Sequence, residues 1–201
     1  MSTSFDQKAK EWDQHTYRVE RAKIVATGLA ERVILAGKNV LDFGCGTGLL
    51  GFELIGKGGQ VTFGDTSPGM LEQVTSKIQG QMKSARVRNL ATEGLGGPYD
   101  VIASLMTLHH IDDYRAQIRD LARCLTVGGN LCLCDLDLED GSFHTEEQVP
   151  HNGFDRVDIE DCLREAGLVV SSSTTPFVNR KMVNDRERLF PVFMILAHPP
   201  R

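Results

Sequence analysis

Short apolar runs alternate along the chain with stretches in which apolar residues recur at a spacing of three or four. The short runs have the length of buried strands, and the wider spacing is that of the buried face of a helix. Met70, Leu71, Val74 and Ile78, for example, would lie on one face of a helix. Strands that alternate with helices predict a doubly wound α/β sheet with helices on both faces. We predict strands at 40–43, 60–64, 85–90, 99–105, 130–138, 168–174 and 190–197.

The first strand runs directly into a glycine-rich turn, Asp42-Phe43-Gly44-Cys45-Gly46-Thr47-Gly48, and then into a helix. Glycine adopts backbone angles that other residues avoid, and it lets a ligand approach the main chain closely. The start of the helix directs unpaired N–H groups toward the same place. Asp42 ends the strand where the crevice of an open α/β sheet lies, and its charge suits a cationic ligand group. Gly46, Gly48 and Gly51 also satisfy the dinucleotide fingerprint, which leaves a nicotinamide cofactor as an alternative.

Asp65 terminates the second predicted strand, where an acidic residue can accept hydrogen bonds from a ribose diol. The alternative is an acid that is simply favoured by the positive end of the next helix. The preceding glycine turn favours the ribose role. Ser67-Pro68 follows at once, and it has the form of a helix N-cap with proline at the first helical position.

Two motifs, Asp42-x-Gly44-x-Gly46-x-Gly48 and Asp65-x-Ser67-Pro68-x-Met70-Leu71, resemble those of the class I S-adenosylmethionine-dependent methyltransferases of small molecules. The resemblance covers nearly the whole chain. It implies a Rossmann-like sheet of seven strands with the last strand antiparallel, and S-adenosyl-L-methionine as cofactor. It also implies direct displacement of the methyl group onto a nucleophile, in which the protein mainly aligns the reacting atoms. The implied cofactor-binding residues are Asp42, Gly44, Cys45, Gly46, Gly48, Asp65, Thr66, Asn89, Leu90, Leu105 and Met106.

Asn89 departs from the family pattern, which often has an aspartate there to bond the adenine amino group. An asparagine can accept from that amino group and donate to a ring nitrogen. The segment 106–111 resembles the family's loop after the fourth strand, which borders the acceptor, and it contains His109 and His110. Histidine often takes a proton from an attacking group, and the family commonly has a histidine at the second position. His110 is therefore the candidate catalytic base, unless the pair only bonds the acids at 112–113.

We expect a single domain of 201 residues, with a helical cap or lid at 1–36 and the Rossmann-like core at 37–201. Phe5, Ala9 and Trp12 recur at helical spacing. This segment resembles the leader that folds over the cofactor and substrate mouth in many small-molecule methyltransferases. Plain packing on the sheet edge would give the same amphipathic stripe, so both interpretations stay open.

Two polar stretches interrupt the second half of the chain. Residues 139–153 form a predicted loop that is longer than a usual connection and carries His144 and His151. It is either a rim of the substrate site or a solvated surface loop. The charged stretch 179–188 is predicted to connect the last two strands.

The net charge of −5 and the absence of a dense Lys/Arg block argue against nucleic acid or an anionic membrane as partner. Neither the Asn-Pro-Pro-Tyr-like nor the Pro-Cys sequences of nucleic-acid methyltransferases follow the fourth strand, so a small-molecule acceptor is expected. The polar first residues and the lack of a long apolar run predict neither a secretory leader nor a membrane span. Five scattered cysteines suit a reduced, cytoplasmic protein. Without C-x-x-C or H-E-x-x-H, no metal is expected.

Three other functions compete with a small-molecule methyltransferase. A nicotinamide-dependent oxidoreductase is disfavoured by Asp42 and by the Ser67-Pro68 segment. The second is a member of the fold that binds the cofactor without catalysis. The reaction requires no particular catalytic residue, so no missing residue would distinguish such a protein. A protein methyltransferase is the third, although the lack of paired glutamates after the fourth strand argues against arginine as acceptor. The sequence identifies neither the acceptor nor the oligomeric state.

Overall fold

The computed structural model describes residues 9–78, 82–145 and 148–200. A 3-10 helix at Ala9–Gln14 opens this part of the chain, and a second one lies at Leu108–His110. The α-helices are Thr16–Ala30 (α1), Leu49–Gly56 (α2), Pro68–Ile78 (α3), Leu90–Glu93 (α4), Tyr114–Arg123 (α5) and Arg156–Glu165 (α6). The strands are Asn39–Phe43 (β1), Gln60–Asp65 (β2), Ala85–Asn89 (β3), Tyr99–Leu105 (β4), Leu125–Leu136 (β5), Val169–Val183 (β6) and Arg186–His198 (β7).

All seven strands form one sheet in the order β3-β2-β1-β4-β5-β7-β6. The pairs from β3 to β5 are parallel, and β7 is antiparallel to both β5 and β6. The predicted fold class, including the antiparallel last strand, is therefore confirmed. The strand order reverses direction between β1 and β4, and an open α/β sheet binds ligands outside the carboxyl ends of the strands at such a point.

Two hydrophobic clusters cover the two faces of the sheet. Val40 and Leu41 are consecutive residues of β1, and they join different clusters because neighbouring side chains of a strand point to opposite faces. Helices α1 to α3 pack on the face of Val40, whereas α5 and α6 pack on the face of Leu41. Each fully buried leucine or valine stabilises the fold by roughly 1.5–3 kcal/mol. Both faces are thus closed, and the strand ends are left as the place for a site.

Helix α3 begins as the sequence predicts. The Ser67 Oγ accepts a hydrogen bond from the Met70 N–H at 3.2 Å, and Pro68 occupies the first helical position. Gly80, which the sequence predicts as the end of this helix, lies outside the described residues. Cys132 and Cys134 are buried side by side on β5 with their Sγ atoms 3.9 Å apart, as core residues of one strand face.

The prediction of a charged connection at residues 179–188 is wrong. These residues pair with each other in a long hairpin, in which Val183 of β6 stands opposite Arg186 of β7. Asn184 and Asp185 form the two-residue turn, with φ of 49° and 59°. Positive φ at both positions is the geometry that matches the twist of a tight hairpin. The two strands extend beyond the part of the sheet that helices cover, so most of their charged side chains remain exposed to solvent. One such pair is Arg180 and Glu187, with Nη1 and Oε2 3.0 Å apart.

Some boundaries also differ from the sequence prediction. β5 begins at Leu125 rather than at residue 130, and it ends at Leu136 rather than at residue 138. Within the described residues, no helix has both the length and the apolar character needed to cross a membrane.

Candidate active site

A cavity of about 600 Å³ lies at the carboxyl ends of β1, β2 and β4. This volume is in the usual range of roughly 300–1,000 Å³ for small-molecule sites. Nine of the cofactor residues that the family resemblance implies border it. They are Asp42, Gly44, Cys45, Gly46, Asp65, Thr66, Leu90, Leu105 and Met106.

The glycine turn presents bare backbone to this cavity. Gly44 has φ of +68°, and a Cβ there would come within 2.2 Å of the Thr107 side chain. Gly46 has φ of +53°, and a Cβ there would meet no atom closer than 3.9 Å, so space remains in front of its main chain. Gly48 does not border the cavity. It is the N-cap of α2, with φ of 89°, and a Cβ there would strike Phe52 at 2.9 Å.

Asp65 links the second strand to the glycine turn. Its Oδ2 accepts a hydrogen bond from the Gly46 N–H at 2.8 Å, and its Oδ1 accepts one from the Ser67 N–H at 2.9 Å. The two backbone bonds therefore fix its orientation at the cavity wall.

Asp42 borders the cavity but is only 1% exposed. Its Oδ2 accepts a hydrogen bond from the Gly51 N–H at 2.8 Å, so the carboxyl group is directed toward the first turn of α2. Burial raises the pKa of Asp42 to about 7; the Gly51 hydrogen bond opposes this effect and the charge of Asp65 adds to it. The acid at the strand end is thus a buried group that titrates near neutral pH.

Asn89 does not border the cavity, although its neighbour Leu90 does. The Asn89 Oδ1 accepts a hydrogen bond from the Ala91 N–H at 3.0 Å and caps the short helix α4. The oxygen that would bond an adenine amino group therefore already has a partner. The adenine role of this residue stays a prediction.

Residues of α1, a helix inside the predicted cap at 1–36, also form part of the cavity wall, and the sequence motifs did not indicate them. Arg18 and Arg21 border the cavity from this helix, one turn apart. Burial lowers the pKa of Arg21 to about 10, and the structure gives its guanidinium no hydrogen bond or ion pair among the described residues. Arg18 stacks on Trp12, with its Cζ 3.7 Å from the ring centroid. The i, i+3 spacing of two arginines after Trp12 was the signal available in the sequence.

A second cavity of about 890 Å³ adjoins the first. Its walls come from α1, from the loop after β5 and from the β6 strand, so residues far apart in sequence enclose it. Five residues border both cavities: Trp12, Arg18, Arg21, Met106 and His110. Basic side chains dominate the charged part of the second cavity, with Arg18, Arg21, Arg180 and Lys181 against Glu20.

The two consecutive histidines occupy different environments. His109 is 1% exposed, and its Nδ1 lies 2.6 Å from Oδ1 of Asp135, which is fully buried at the end of β5. Burial opposes ionisation of Asp135, but the pairing with His109 and the N–H groups of Leu136 and His109 outweigh it, so the pKa of this carboxyl is lowered. His110 lies at the junction of the two cavities, and its predicted role as a base stays a prediction.

The long loop after β5 brings one of its two histidines to the site. His144 borders the second cavity. His151 instead lies against the backbone, with Nε2 3.0 Å from the Ile111 carbonyl oxygen. The part of the loop around His144 is therefore a rim of the second cavity, and the part around His151 is anchored to the backbone.

A seven-stranded sheet with one antiparallel strand, and a cavity built on the glycine turn after its first strand, define the fold of the class I methyltransferases. Residues 41–131 match the family model of a methyltransferase domain. A ubiquinone biosynthesis O-methyltransferase of Xanthomonas oryzae pv. oryzae is 36% identical over 120 residues, which are 57% of this chain and 50% of that protein. The chain thus spans about half the length of the curated relatives it matches.

Solved structures of low sequence identity share the fold. One is a chain of the complex between the Haloferax volcanii Trm112 methyltransferase activator and its candidate methyltransferase, with a TM-score of 0.78, 17% identity and 100% of each chain covered. Another is the magnesium protoporphyrin IX methyltransferase of Synechocystis with bound SAH, with a TM-score of 0.66, 20% identity, and 91% of this chain and 84% of that chain covered. The domain match and the fold shared with these structures support the class I S-adenosylmethionine-dependent methyltransferase family that the sequence motifs resemble.

Proposed function

We propose that the protein transfers a methyl group from S-adenosylmethionine to a small anionic molecule. The observation that carries this proposal is the pair of adjoining cavities, which share Met106 and His110 at their junction. The first cavity would take the cofactor and the second would take the acceptor. The match to a ubiquinone biosynthesis O-methyltransferase supports a small molecule as acceptor.

The residues of the first cavity fit S-adenosylmethionine. Gly46 offers uncovered backbone, and Asp65, which two backbone N–H groups hold at the cavity wall, would accept hydrogen bonds from a ribose diol. Arg21 is a half-buried cation without an ion pair among the described residues, and it would suit the carboxylate at the amino-acid end. Leu90 supplies an apolar contact for the adenine ring. Asp42, close behind the turn, would contribute negative charge near the ammonium only in its ionised form, because burial raises its pKa to about 7.

When bound, the cofactor supplies a methyl group that is already activated on a sulfonium sulfur. The protein then has to align the acceptor with the methyl group and exclude water from the path between them. Met106 stands at the junction in a left-handed backbone conformation, with φ of 59°. Trp12 borders both cavities and would cover the reacting atoms from the N-terminal side.

The acceptor cavity favours negatively charged molecules. Four basic residues and one acidic residue border it, and a low-dielectric cavity strengthens the attraction for an anion. An acceptor that carries a carboxylate would therefore be oriented by its charged end. His110 is the titratable group at the junction, and it would accept the proton that the attacking atom loses.

Calorimetry tests the cofactor assignment directly. We expect S-adenosylmethionine and S-adenosylhomocysteine each to bind with one site per chain, and NAD to give no heat. Binding of NAD with neither sulfur ligand would overturn the proposal in favour of a nicotinamide enzyme. Methyl transfer from isotopically labelled cofactor into a panel of small carboxylic acids and phenols would then test catalysis. Binding without transfer to any tested acceptor would favour a non-catalytic member of the fold.

A further inference from the structure

Three histidines converge on the wall of the second cavity. His109, His110 and His144 each place one ring nitrogen so that the three lie within 4.8 Å of one another. The centroid of the His109 ring lies 4.1 Å from that of His110 and 4.9 Å from that of His144. His109 is buried and the other two are half-buried. The distance between the nitrogens is close enough for one ion to contact all three.

His109 has the environment of an oriented metal ligand. The carboxylate of Asp135 lies 2.6 Å from Nδ1 and fixes the ring, so that Nδ1 carries the donated proton. The opposite nitrogen, Nε2, is buried and has no hydrogen-bond partner among the described residues. A buried polar atom without a partner requires an explanation, and a carboxylate that orients the far side of the ring is the usual companion of a metal-bound histidine.

His144 is delivered by a loop that is itself held in place. Lys181 Nζ donates to the carbonyl oxygen of Phe143 at 2.6 Å. The Phe143 N–H donates to Glu139 Oε2 at 3.1 Å, and the Phe143 ring packs edge-on against Phe190 with centroids 5.2 Å apart. The loop after β5 and the 3-10 helix after β4 therefore supply their imidazoles from separately anchored segments. Because His144 is far from His109 and His110 in the sequence, no short metal motif contains all three residues.

We propose that His109, His110 and His144 bind a divalent transition-metal ion of the zinc class. Imidazole nitrogen suits zinc, cobalt and nickel, whereas magnesium and calcium prefer oxygen ligands. Three protein ligands leave one position of a tetrahedral zinc site open. The three histidines border the second cavity, so an acceptor hydroxyl or thiol that took the open position would lose its proton more readily. Only this effect on the acceptor rests on the proposed function. A metal ion bound to His110 would occupy one of its ring nitrogens. That nitrogen could then not accept a proton, so metal binding competes with the role of His110 as a base.

The test is direct metal binding to the full chain, prepared without a polyhistidine tag and stripped with a chelator. We expect one equivalent of Co²⁺ to give the intense visible absorption of a tetrahedral site, and one equivalent of Zn²⁺ to remove it. His144→Gln should weaken the affinity for Zn²⁺ by more than about 100-fold, and Asp135→Asn by roughly 10–100-fold, the usual effect of losing a supporting carboxylate. His151→Gln and His198→Gln are matched controls, because both histidines lie outside the cluster.

Stoichiometric metal that is lost in the cluster variants and kept in the controls supports the site. Absence of stoichiometric binding in the wild type overturns it, and so does an equal loss of affinity in His151→Gln. Circular dichroism and urea unfolding identify a variant that fails to fold; His110→Gln then takes the place of His144→Gln. Calorimetry with S-adenosylhomocysteine on the metal-free chain tests the cofactor site separately. Metal binding without cofactor binding would overturn the proposed function alone, and the reverse result would overturn the metal site alone.

Discussion

The carboxylate of Asp13 and the ammonium group of Lys77 form an ion pair, with Oδ2 and Nζ 2.5 Å apart. The same carboxylate accepts a hydrogen bond from the Thr47 hydroxyl at 2.5 Å, and Lys77 Nζ donates to the Thr47 carbonyl oxygen at 2.7 Å. Three segments are joined in this way: the N-terminal 3-10 helix, the glycine turn and the end of α3. The N-terminal segment is thus fastened directly to the turn that lines the candidate cofactor cavity.

Deletion of residues 1–13 should leave a folded sheet that releases S-adenosylhomocysteine faster. The deletion removes Trp12 from the walls of both cavities and breaks the link to the glycine turn. We expect the dissociation rate to rise about tenfold, which corresponds to roughly 1.4 kcal/mol. Stopped-flow displacement measures it. Asp13→Asn is the control, with an effect below about 1 kcal/mol, because both partners of the ion pair are about a third exposed. An unchanged rate in the deletion would favour plain packing over a lid.

Asp65→Ala should weaken binding of S-adenosylhomocysteine by about 1.5–3 kcal/mol, the scale of hydrogen bonds to a charged group. Asp65→Asn keeps one acceptor oxygen and should lose less. Calorimetry gives both affinities. Since Asp65 also accepts from Gly46 and Ser67, urea unfolding of each variant must be measured alongside. A folded alanine variant with wild-type affinity would show that Asp65 only supports the turn and the start of α3.

Arg21→Gln should discriminate between two forms of the cofactor product. If the guanidinium binds the carboxylate of the amino-acid end, the variant should lose about 1.5–3 kcal/mol of affinity for S-adenosylhomocysteine. Its affinity for the decarboxylated analogue should equal that of the wild type. An equal loss for both ligands would mean that Arg21 shapes the wall without contacting the carboxylate. Arg164→Gln, at an exposed ion pair on α6, is the matched surface control.

The sequence predicted the doubly wound α/β sheet because its signals are local, whereas the antiparallel last strand was implied by the family resemblance. Each strand and helix has its own periodicity, and the glycine turn after β1 marks the crevice. Nine residues that the sequence motifs indicated border the first cavity. Arg21 and His144 were not assigned to a site, because their proximity depends on how α1 and the loop after β5 pack against the sheet. Long-range convergence of this kind leaves no spacing pattern in a single chain.

The β6–β7 hairpin was missed for a different reason. Its distal half is rich in charge, and a charged stretch without apolar alternation resembles a loop. The turn itself carried a signal, because Asn-Asp is among the pairs that tolerate positive φ at both central positions. Apolar residues of the hairpin, such as Met182 and Leu189, were a further indication of strand structure in the sequence.

Asp185→Gly should stabilise the protein by roughly 0.5–1 kcal/mol. Asp185 has φ of 59°, a left-handed conformation that glycine adopts without the steric penalty of a Cβ, and Asn-Gly is the preferred pair in such turns. The greater freedom of glycine in the unfolded chain offsets part of the gain. Asp185→Val should destabilise by about 1 kcal/mol or more, since a branched Cβ fits this region poorly. Thermal unfolding of both variants tests the hairpin, and equal stability would show that the turn is not formed in solution.

Asp42 should make the free energy of unfolding depend on pH in a defined window. Burial raises its pKa from 3.8 to about 7 in the folded chain, so the native state holds a proton that the unfolded state releases. The contribution is therefore fully present below about pH 4 and is lost as the pH rises through 7, at up to about 1.4 kcal/mol per pH unit. Asp42→Asn keeps an acceptor oxygen for the Gly51 N–H but cannot ionise. Between pH 5 and pH 7 the free energy of unfolding of the wild type should therefore fall relative to that of the variant. This relative change is expected even if the substitution also alters stability by a pH-independent amount. Urea unfolding of both proteins across this range measures the slope, and parallel stability curves would mean that Asp42 is ionised at neutral pH, as a partner for a cationic ligand group requires.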